Sequence, residues 1–485
     1  MFDVRCETEV LQRMKSQTVH KLRRIFDGVV VRKALVRDAG LPRIPQYVVE
    51  YLIANHVKES QAQADMKRMR EHVAKIFPEA DTREVVKAKL VKEHEVVIID
   101  KAMVTVNLKT GALVCALTFL GENRAEILEQ IVDDYPRLLT GGLWGAYRLK
   151  YLPPAGPRSP NRVVVVGVMP FQADCPSAED FAQRRGKFTT EEWIDVLLTS
   201  VGYETDRLSE REKLLYLVRL APAVEPNLNV MELGPRQTGK TFLLRNVSPS
   251  VYTASGANVS AASLFANVTT GTMGILGSYK IVQLDEIAST RFDNISTISM
   301  LKDFMESGQF ARGGKTYSSD SSMVLAGNLD VVGKEPDGRY GHLFEPLPAM
   351  LQDTAFLDRV HGYLPGWEIP KLSPTSISQG YGLVVDYLGQ VLGTLRTRDR
   401  RDVAHQVSLA SNMTRRDVVA VEKLVSGLVK LVYPHDQYTD AELEQLVNFA
   451  AELRQRVNNE LAKMAPGEFT TKDFSVGRRK LALVP

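Results

Sequence analysis

Apolar positions along this chain change their spacing several times, and each change marks a different kind of element. Over residues 1–92 they recur at steps of three and four, in Val10-Leu11-Met14 and again through Val48, Tyr51, Leu52 and Ile53, which is the repeat of a helix face. Pro42 and Pro45 interrupt the two stretches. From about residue 95 the runs shorten and alternate: Val96-Val97-Ile98-Ile99, Met103 to Leu108, Leu113 to Phe119, Trp144 to Tyr151, and Val163 to Val168. Turn residues such as Lys109-Thr110-Gly111 part them, so five or so strands are predicted over 93–185. They suit a small barrel or a sandwich, an OB-like barrel among the options, and the pattern does not choose. Pro153-Pro154-Ala155-Gly156-Pro157 puts a bend inside or beside that module.

Helical spacing returns in Thr190-Glu191-Glu192-Trp193-Ile194 and from Glu210 to Leu220. Beyond Pro222 and Pro226, strands and helices alternate to about residue 370, as a parallel α/β sheet requires. Residues 380–465 are helical again, most regularly in Val418 to Val432 and Ala441 to Met464. The expected order is a basic helical region over 1–92, a β-rich module over 93–185, an α/β core over 186–370, and a helical lid and tail over 371–485. Internal repeats and low-complexity tracts are not evident.

Length supports this division, because 485 residues exceed what one compact core accommodates. The apolar share of 44% and charged share of 25% are those of globular chains and exclude a disordered or collagen-like one. Cys6, Cys115 and Cys175 lie far apart without metal-ligand spacing and read as packed thiols of a reducing compartment. No run approaches the roughly 18 apolar residues of a membrane span. The start, MFDVRCETEVLQRMK, carries acids and lacks a secretory apolar segment, so a cytoplasmic location without membrane contact is expected.

A net charge of only +3 excludes a polycation, yet cations crowd the first 45 residues, Arg23, Arg24, Arg32 and Lys33 among them. Lys67-Arg68-Met69-Arg70 adds a second cluster. Such patches suit phosphate backbones, and equally suit solvated helix faces.

The most informative segment is Met231-Glu232-Leu233-Gly234-Pro235-Arg236-Gln237-Thr238-Gly239-Lys240-Thr241, an ungapped GxxxxGK[ST] between a short apolar run and the helical opening Phe242-Leu243-Leu244. Glycine at 234 and 239 lets the loop amides point inward at an anion, and the following helix N-terminus adds positive potential. Gly234, Pro235, Arg236, Gln237, Thr238, Gly239, Lys240, Thr241 and Phe242 are therefore the candidate nucleotide-binding residues, for ATP with Mg²⁺. Lys240 is expected on the β- and γ-phosphates and the Thr241 hydroxyl on the metal. Some forty residues on, the apolar run Ile281-Val282-Gln283-Leu284 ends in Asp285-Glu286, where a parallel sheet presents ligands. Asp285 suits the metal shell, and Glu286 suits polarising the attacking water. A third run, Met323-Val324-Leu325-Ala326, ends in Gly327-Asn328, and Asn328 is placed to sense the γ-phosphate or the water. Arg359 in Phe356-Leu357-Asp358-Arg359-Val360 is the candidate trans finger of a ring ATPase, a feature worth roughly 10³–10⁵ in rate. Arg416, with Arg415 as alternate, opens a later helix and is a candidate second sensor.

Blocks outside these motifs extend the pattern. They include Val31-Arg32-Lys33, Pro45-Gln46-Tyr47-Val48-Val49-Glu50-Tyr51-Leu52, Phe188-Thr189-Thr190-Glu191-Glu192-Trp193-Ile194-Asp195, and Val224-Glu225-Pro226-Asn227. Further on come Asp285-Glu286-Ile287-Ala288, the stretch Asp358-Arg359-Val360-His361-Gly362-Tyr363-Leu364-Pro365-Gly366-Trp367-Glu368, Arg416-Asp417, and Ser426-Gly427-Leu428-Val429-Lys430-Leu431. With them the chain resembles, over nearly its whole length, the Lon-like BrxL family of BREX phage-defence systems. The resemblance implies an α/β AAA+ P-loop core, a parallel sheet with a helical lid related in layout to MCM helicases. It also implies an N-terminal α+β domain of helices and a small β-barrel-like module, which binds DNA. Homo-hexameric rings, able to pair as a double ring and encircle double-stranded DNA, other BREX proteins as partners, and a block on phage replication follow from the same resemblance. Longer members carry a Lon-type Ser–Lys protease-like domain after the lid, whereas this sequence stops at Pro485. Peptidase activity thus has no support here.

In that frame Phe310-Ala311-Arg312-Gly313-Gly314-Lys315-Thr316-Tyr317 looks like a pre-sensor hairpin, with Arg312 and Lys315 meeting phosphates in a pore. Thr269-Thr270-Gly271-Thr272-Met273-Gly274 is a second, uncharged candidate. Two other readings stand beside the DNA-translocating ring: an unfoldase of the Lon type, for which Tyr279 and Tyr317 are the nearby aromatics, and a slow nucleotide-gated loader or scaffold.

Overall fold

The computed structural model describes residues 16–107, 110–154, 156, 162–171, 177–247, 250–256, 258–269 and 272–476. The expectations for Cys6 and Cys175, and for Thr270 and Gly271, lie outside these. Contacts gather the described chain into two compact units: 27–171 with 384–387, and 16–26 with 177–383 and 388–476.

In the first unit, helices α1 (Gln46–His56), α2 (Ala62–Ile76) and α3 (Arg83–Glu93) precede a closed barrel. Its strands are β1 (Glu95–Asn107), β2 (Ala112–Leu117), β3 (Glu122–Ile127), β4 (Leu143–Leu152) and β5 (Arg162–Pro170), in the order β1-β2-β3-β5-β4. All neighbours are antiparallel except β3 and β5, and helix α4 (Glu129–Asp134) follows β3. Closure decides for a barrel over a sandwich. The strands differ in detail from the sequence pattern. The first two apolar runs form the single strand β1, in which the fully buried Asp100 accepts backbone bonds from Lys101, Phe119 and Leu120. Strand β3, Glu-Asn-Arg-Ala-Glu-Ile, was not foreseen, because only Ala125 and Ile127 turn inward and the outward residues are polar.

In the second unit, α5 (Thr190–Ser200) and α6 (Glu210–Leu220) each begin in a reciprocal cap, Thr189 with Glu192 and Ser209 with Glu212. Such a cap satisfies two orphan amides and contributes about 1 kcal/mol. Five strands then build a parallel sheet: β6 (Asn229–Gly234), β7 (Val251–Ser255), β8 (Ile281–Asp285), β9 (Ser322–Asn328) and β10 (Gly362–Pro365), in the order β10-β6-β9-β8-β7. Covered on both faces, β6, β9 and β10 are buried almost throughout, which explains their largely apolar sequences. Helix α7 (Phe242–Val247) follows β6, and α8 (Ile295–Ser307) runs between β8 and β9. The long helices α9 (Arg415–Val432) and α10 (Asp440–Met464) coincide with the two most regular periodic stretches of the sequence.

Because all five strands are parallel, the sheet has two chemically distinct edges. Gly234, Asp285 and Asn328 end their strands on one, and the strand beginnings, with Asn229 and Gly362, lie on the other.

Candidate active site

At the strand-end edge, β6 runs into residues 235–241 and then α7. Gly234 can only be glycine: a Cβ there would meet the backbone of Gly366 at 2.5 Å. Gly239 has φ +77° and a Cβ on it would meet Leu372 at 2.8 Å. Gln237 also takes a left-handed conformation, φ +69°, while its carbonyl accepts from the Leu372 amide. The loop is thus tightly enclosed, by the Gly366 backbone at its first glycine and the Leu372 side chain at its second. Lys240 folds across it, donating to the carbonyls of Gly234 (3.0 Å) and Pro235 (2.7 Å). Burial holds its ammonium below the ordinary lysine range, with Glu232 and Asp285 opposing and Arg219 adding to the effect. A polyanion seated in the loop would restore the charge balance. Arg236 is exposed, and Phe242 packs edge-on against Tyr203 at 5.9 Å.

The Thr241 hydroxyl is hydrogen-bonded to the Asp285 carboxylate, so the two oxygens expected on a metal already sit together although 44 residues separate them. One hydroxyl and one carboxylate, with phosphate and water completing the shell, is a donor set that suits Mg²⁺. Glu286 follows in a left-handed conformation, φ +52°, rare for a residue with a side chain. That backbone turns its carboxylate to the exposed side, where it accepts from the Ser255 hydroxyl at 3.1 Å. Asn328 lies level with Gly234 on the neighbouring strand. Walker-type lysine, hydroxyl, two acids and Asn328 therefore share one edge.

Behind the loop lies a pair that motif reading missed. Arg219 of α6 makes two bonds to Glu232 of β6 (2.8 and 2.6 Å), and its remaining nitrogen donates to the Thr238 carbonyl of the loop at 3.0 Å. Both side chains are 4% exposed. The buried Gln283 likewise donates to the Lys240 carbonyl. A signal did exist: Arg219 and Glu232 are lone charges inside the two apolar runs that precede the P-loop.

Arg359 and Arg416 come together with each other instead. Arg359 Nε lies 3.1 Å from Glu306 Oε2, and its Nη1 donates to the Ala355 carbonyl. Arg416 Nε lies 3.0 Å from the same Glu306 oxygen, and its Nη1 bonds Asp358 at 2.9 Å. The buried Arg454 anchors the group, reaching Asp358 (2.6 Å) and Asp417 (2.8 Å). Two residues past Arg359, His361 exchanges bonds with the first residue of β6: its amide donates to the Asn229 carbonyl, and its Nδ1 accepts from the Asn229 amide. The cluster therefore sits at the strand-beginning edge, about 17 Å of strand away from the P-loop of the same chain at roughly 3.3 Å per residue.

The DNA candidates divide. Gln309–Arg312 and Lys315–Ser318 form the expected hairpin, with Gly313 (φ +60°) and Gly314 (φ +74°) supplying the turn. Lys315 is exposed, whereas Arg312 is half-buried and spends its Nε on the Ala266 carbonyl. Ala266 begins a second small hairpin that pairs Ala266-Asn267 with Thr272-Met273, and a Cβ on Gly313 would meet its Val268 at 2.9 Å. The two candidate stretches are thus neighbours. Arg24 is exposed, and Arg23 lies over the Tyr381 ring at 5.3 Å, both in the second unit. Arg32 is exposed in the first unit. Lys33 requires a correction. It is 4% exposed and paired with the fully buried Glu50 at 2.8 Å, and burial depresses its pKa. An ammonium committed to an internal carboxylate has no reach toward a phosphate.

Cys115 is a buried thiol, as expected, and burial pushes its pKa up to about 12. Among the described residues no helix is long and apolar enough to cross a membrane.

Comparison with known proteins accords with this geometry. Residues 163–475 match the family model described as the ATPase domain of Lon-like protease BrxL-like proteins, and residues 24–151 match that of the BrxL N-terminal domain of the BREX system. The Lon-like protease BrxL of Bacillus cereus (strain H3081.97) is 36% identical over 469 residues, covering 94% of this chain and 68% of the relative. That of Escherichia coli O9:H4 (strain HS) is 34% identical over 455 residues, covering 93% of this chain and 65% of the relative. The chain, spanning about two thirds of these relatives' length, carries both matched domains and belongs to the BrxL family of Lon-like BREX-system proteins.

Proposed function

We propose that this chain hydrolyses ATP as a subunit of a homo-hexameric AAA+ ring that grips or moves along double-stranded DNA in the cytoplasm, in the service of BREX phage defence. The observation that carries the reading is the division of the candidate machinery between opposite edges of one sheet. Lys240, Thr241, Asp285, Glu286 and Asn328 stand at the strand ends, and Arg359 with Arg416 at the strand beginnings. A subunit so built has half of an active site to fill and half to lend. A closed ring satisfies both.

In this reading the loop amides and Lys240 hold the β- and γ-phosphates, and Thr241 and Asp285 would hold Mg²⁺, which when bound would supply positive charge beside the phosphate oxygens. Glu286 Oε orients the attacking water and accepts its proton as the bond from the γ-phosphorus to the β,γ-bridging oxygen breaks, releasing ADP and phosphate. Asn328 fixes the water or the γ-phosphate from the adjacent strand. Arg359 and Arg416 of the next subunit meet the γ-phosphate from outside. The hairpin carrying Arg312 and Lys315 faces the pore, with Lys315 the freer cation. We read the barrel as OB-type, supported by its strand order and its parallel β3–β5 closure, and as part of a DNA-binding N-terminal region that also holds Arg23, Arg24 and Arg32. Paired rings and contacts with other BREX proteins belong to the same proposal. A second reading, a protein unfoldase, is favoured only by the relatives' name, Lon-like protease.

Electron microscopy with a non-hydrolysable ATP analogue and duplex DNA tests the proposal. Closed rings with duplex in the pore are the expected result; nucleotide-saturated monomers, or rings that exclude DNA at low salt, would overturn it. DNA affinity should also fall steeply with salt, by a slope of about −0.9 per neutralised phosphate, and a flat response would favour the unfoldase.

A further inference from the structure

We propose that Glu306 is a positioning residue that ties the β-hairpin 309–318 to the two arginines at the strand-beginning edge, so that what the hairpin touches sets how those arginines are presented. The inference rests on the ring reading above and deepens it, since it names the side chain that would couple DNA to hydrolysis.

The geometry begins with one oxygen. Glu306 Oε2 stands between Arg359 Nε (3.1 Å) and Arg416 Nε (3.0 Å). Two guanidinium groups side by side repel each other unless an anion lies between them. Glu306 supplies that anion: it accepts a hydrogen bond from Arg416 Nε and holds Arg359 as an ion pair, without a hydrogen bond to Arg359 Nε. The two Nη1 atoms are fixed elsewhere, on the Ala355 carbonyl and on Asp358, so the direction of each planar fork is set. Glu306 contributes this from the last turn of α8, one residue before the helix ends.

The helix end is joined firmly to the hairpin. Gly308 caps α8 at φ +72°, its amide donating to the Phe304 carbonyl at 2.8 Å. Its own carbonyl accepts from the Ser319 amide, just past the hairpin's last residue, at 2.8 Å. A Cβ at Gly308 would meet the Ser319 carbonyl at 2.9 Å, so the cap and the hairpin base have no room between them. Phe310 is buried and packs against Phe304 of α8, Phe265 and Tyr317. Base and last turn therefore move as one body, and a force on Lys315 at the tip reaches the Glu306 carboxylate with little slack. Glu306 is itself 44% exposed, so its charge can be removed without leaving a hole in the core.

The test compares hydrolysis with and without duplex DNA, using the full chain and saturating ATP. For Glu306→Gln, of equal size but uncharged, the ratio of DNA-stimulated to DNA-free rate should fall by about fivefold, whatever happens to the DNA-free rate itself. Glu306→Asp, which keeps the charge one methylene shorter, should give an intermediate ratio. In a cycle with Lys315→Ala, the two losses should not add, because both act on one link. An unchanged ratio in Glu306→Gln, or strict additivity with Lys315→Ala, would overturn the coupling and reduce Glu306 to a support for the arginines. A parent chain whose hydrolysis ignores DNA would overturn this inference before any variant is made, while the ring reading stands or falls separately on the electron microscopy above.

Discussion

The two edges of the central sheet are built on opposite plans. At the strand ends, chemistry comes from a few contiguous segments, and its groups satisfy one another within the chain: Lys240 on the loop's own carbonyls, Thr241 on Asp285. At the strand beginnings, charges converge from α8, the 358–359 turn, α9 and α10, at the opposite end of β6 from the P-loop. One edge is a receptacle, while the other is a set of cations balanced by Glu306, Asp358 and Asp417. The difference teaches that binding and turnover should separate genetically, and that turnover should depend on a neighbour.

Two substitutions could break this comparison outright. Lys240→Ala should weaken ATP binding by at least about a hundredfold, since it removes a buried cation from a polyanion site. Calorimetry with ATP and Mg²⁺ checks it, and retained affinity would disqualify the P-loop as the site. Arg359→Ala should leave that affinity near its parent value yet lower turnover by about 10³. Mixed with Lys240→Ala subunits under exchange, it should regain part of the rate, because intact loops would then face intact arginines. Failure of any mixture to regain activity would sink the trans assignment.

The asymmetry also governs how much was legible in the sequence. The strand-end edge could be read because a phosphate loop needs glycine and lysine at fixed spacing, and an acidic strand end announces itself after an apolar run. The two long helices α9 and α10 were legible for the same kind of reason, a periodicity sustained over whole turns. The arginine edge was legible only as isolated residues. Nothing local in Asp358-Arg359 or Arg415-Arg416 reveals that Glu306, 53 residues before Arg359, would bridge them. Strand β3 escaped because barrel closure, through its pairing with β5, stabilises a segment whose own pattern is polar. Lys33 misled because a cation in a basic run looks like its neighbours until its partner, Glu50, is known to be buried.

The pair behind the loop sharpens the comparison at a smaller scale. Arg219→Met strands the Glu232 carboxylate in an apolar interior, an error of about 3–5 kcal/mol in stability. Arg219→Met with Glu232→Met should recover most of that loss, because neither charge is then left unpaired. The double variant still lacks the bond to the Thr238 carbonyl, so its KM for ATP should rise several-fold while the unfolding midpoint stays near that of the parent. Equal KM in parent and double variant would mean that the pair supports the fold but not the loop.

The smallest expected effect concerns acid, and it should strike the arginine edge first. His361 is buried, and its Nδ1 accepts from the Asn229 amide, which requires an unprotonated nitrogen. Burial, together with the charges of Lys423 and Arg454, holds its pKa well below the ordinary value near 6.5. Above that value the ring is neutral in folded and unfolded chains alike, and its protonation contributes no pH dependence. As pH falls below about 6.5 the unfolded chain takes up a proton that the folded one refuses, so stability should drop by up to about 1.4 kcal/mol per pH unit from this group alone. Other carboxylates titrate further down, so the comparison must be internal. His361→Asn keeps an acceptor near the Nδ1 position and cannot be protonated; it should be less stable than the parent at pH 7.5 and lose less between pH 7 and 5.5. Because His361 fastens the start of β6 two residues beyond Arg359, hydrolysis should decline over that range before ATP affinity does. Parallel stability curves for parent and His361→Asn, or affinity failing before turnover, would place the acid-sensitive point away from this edge.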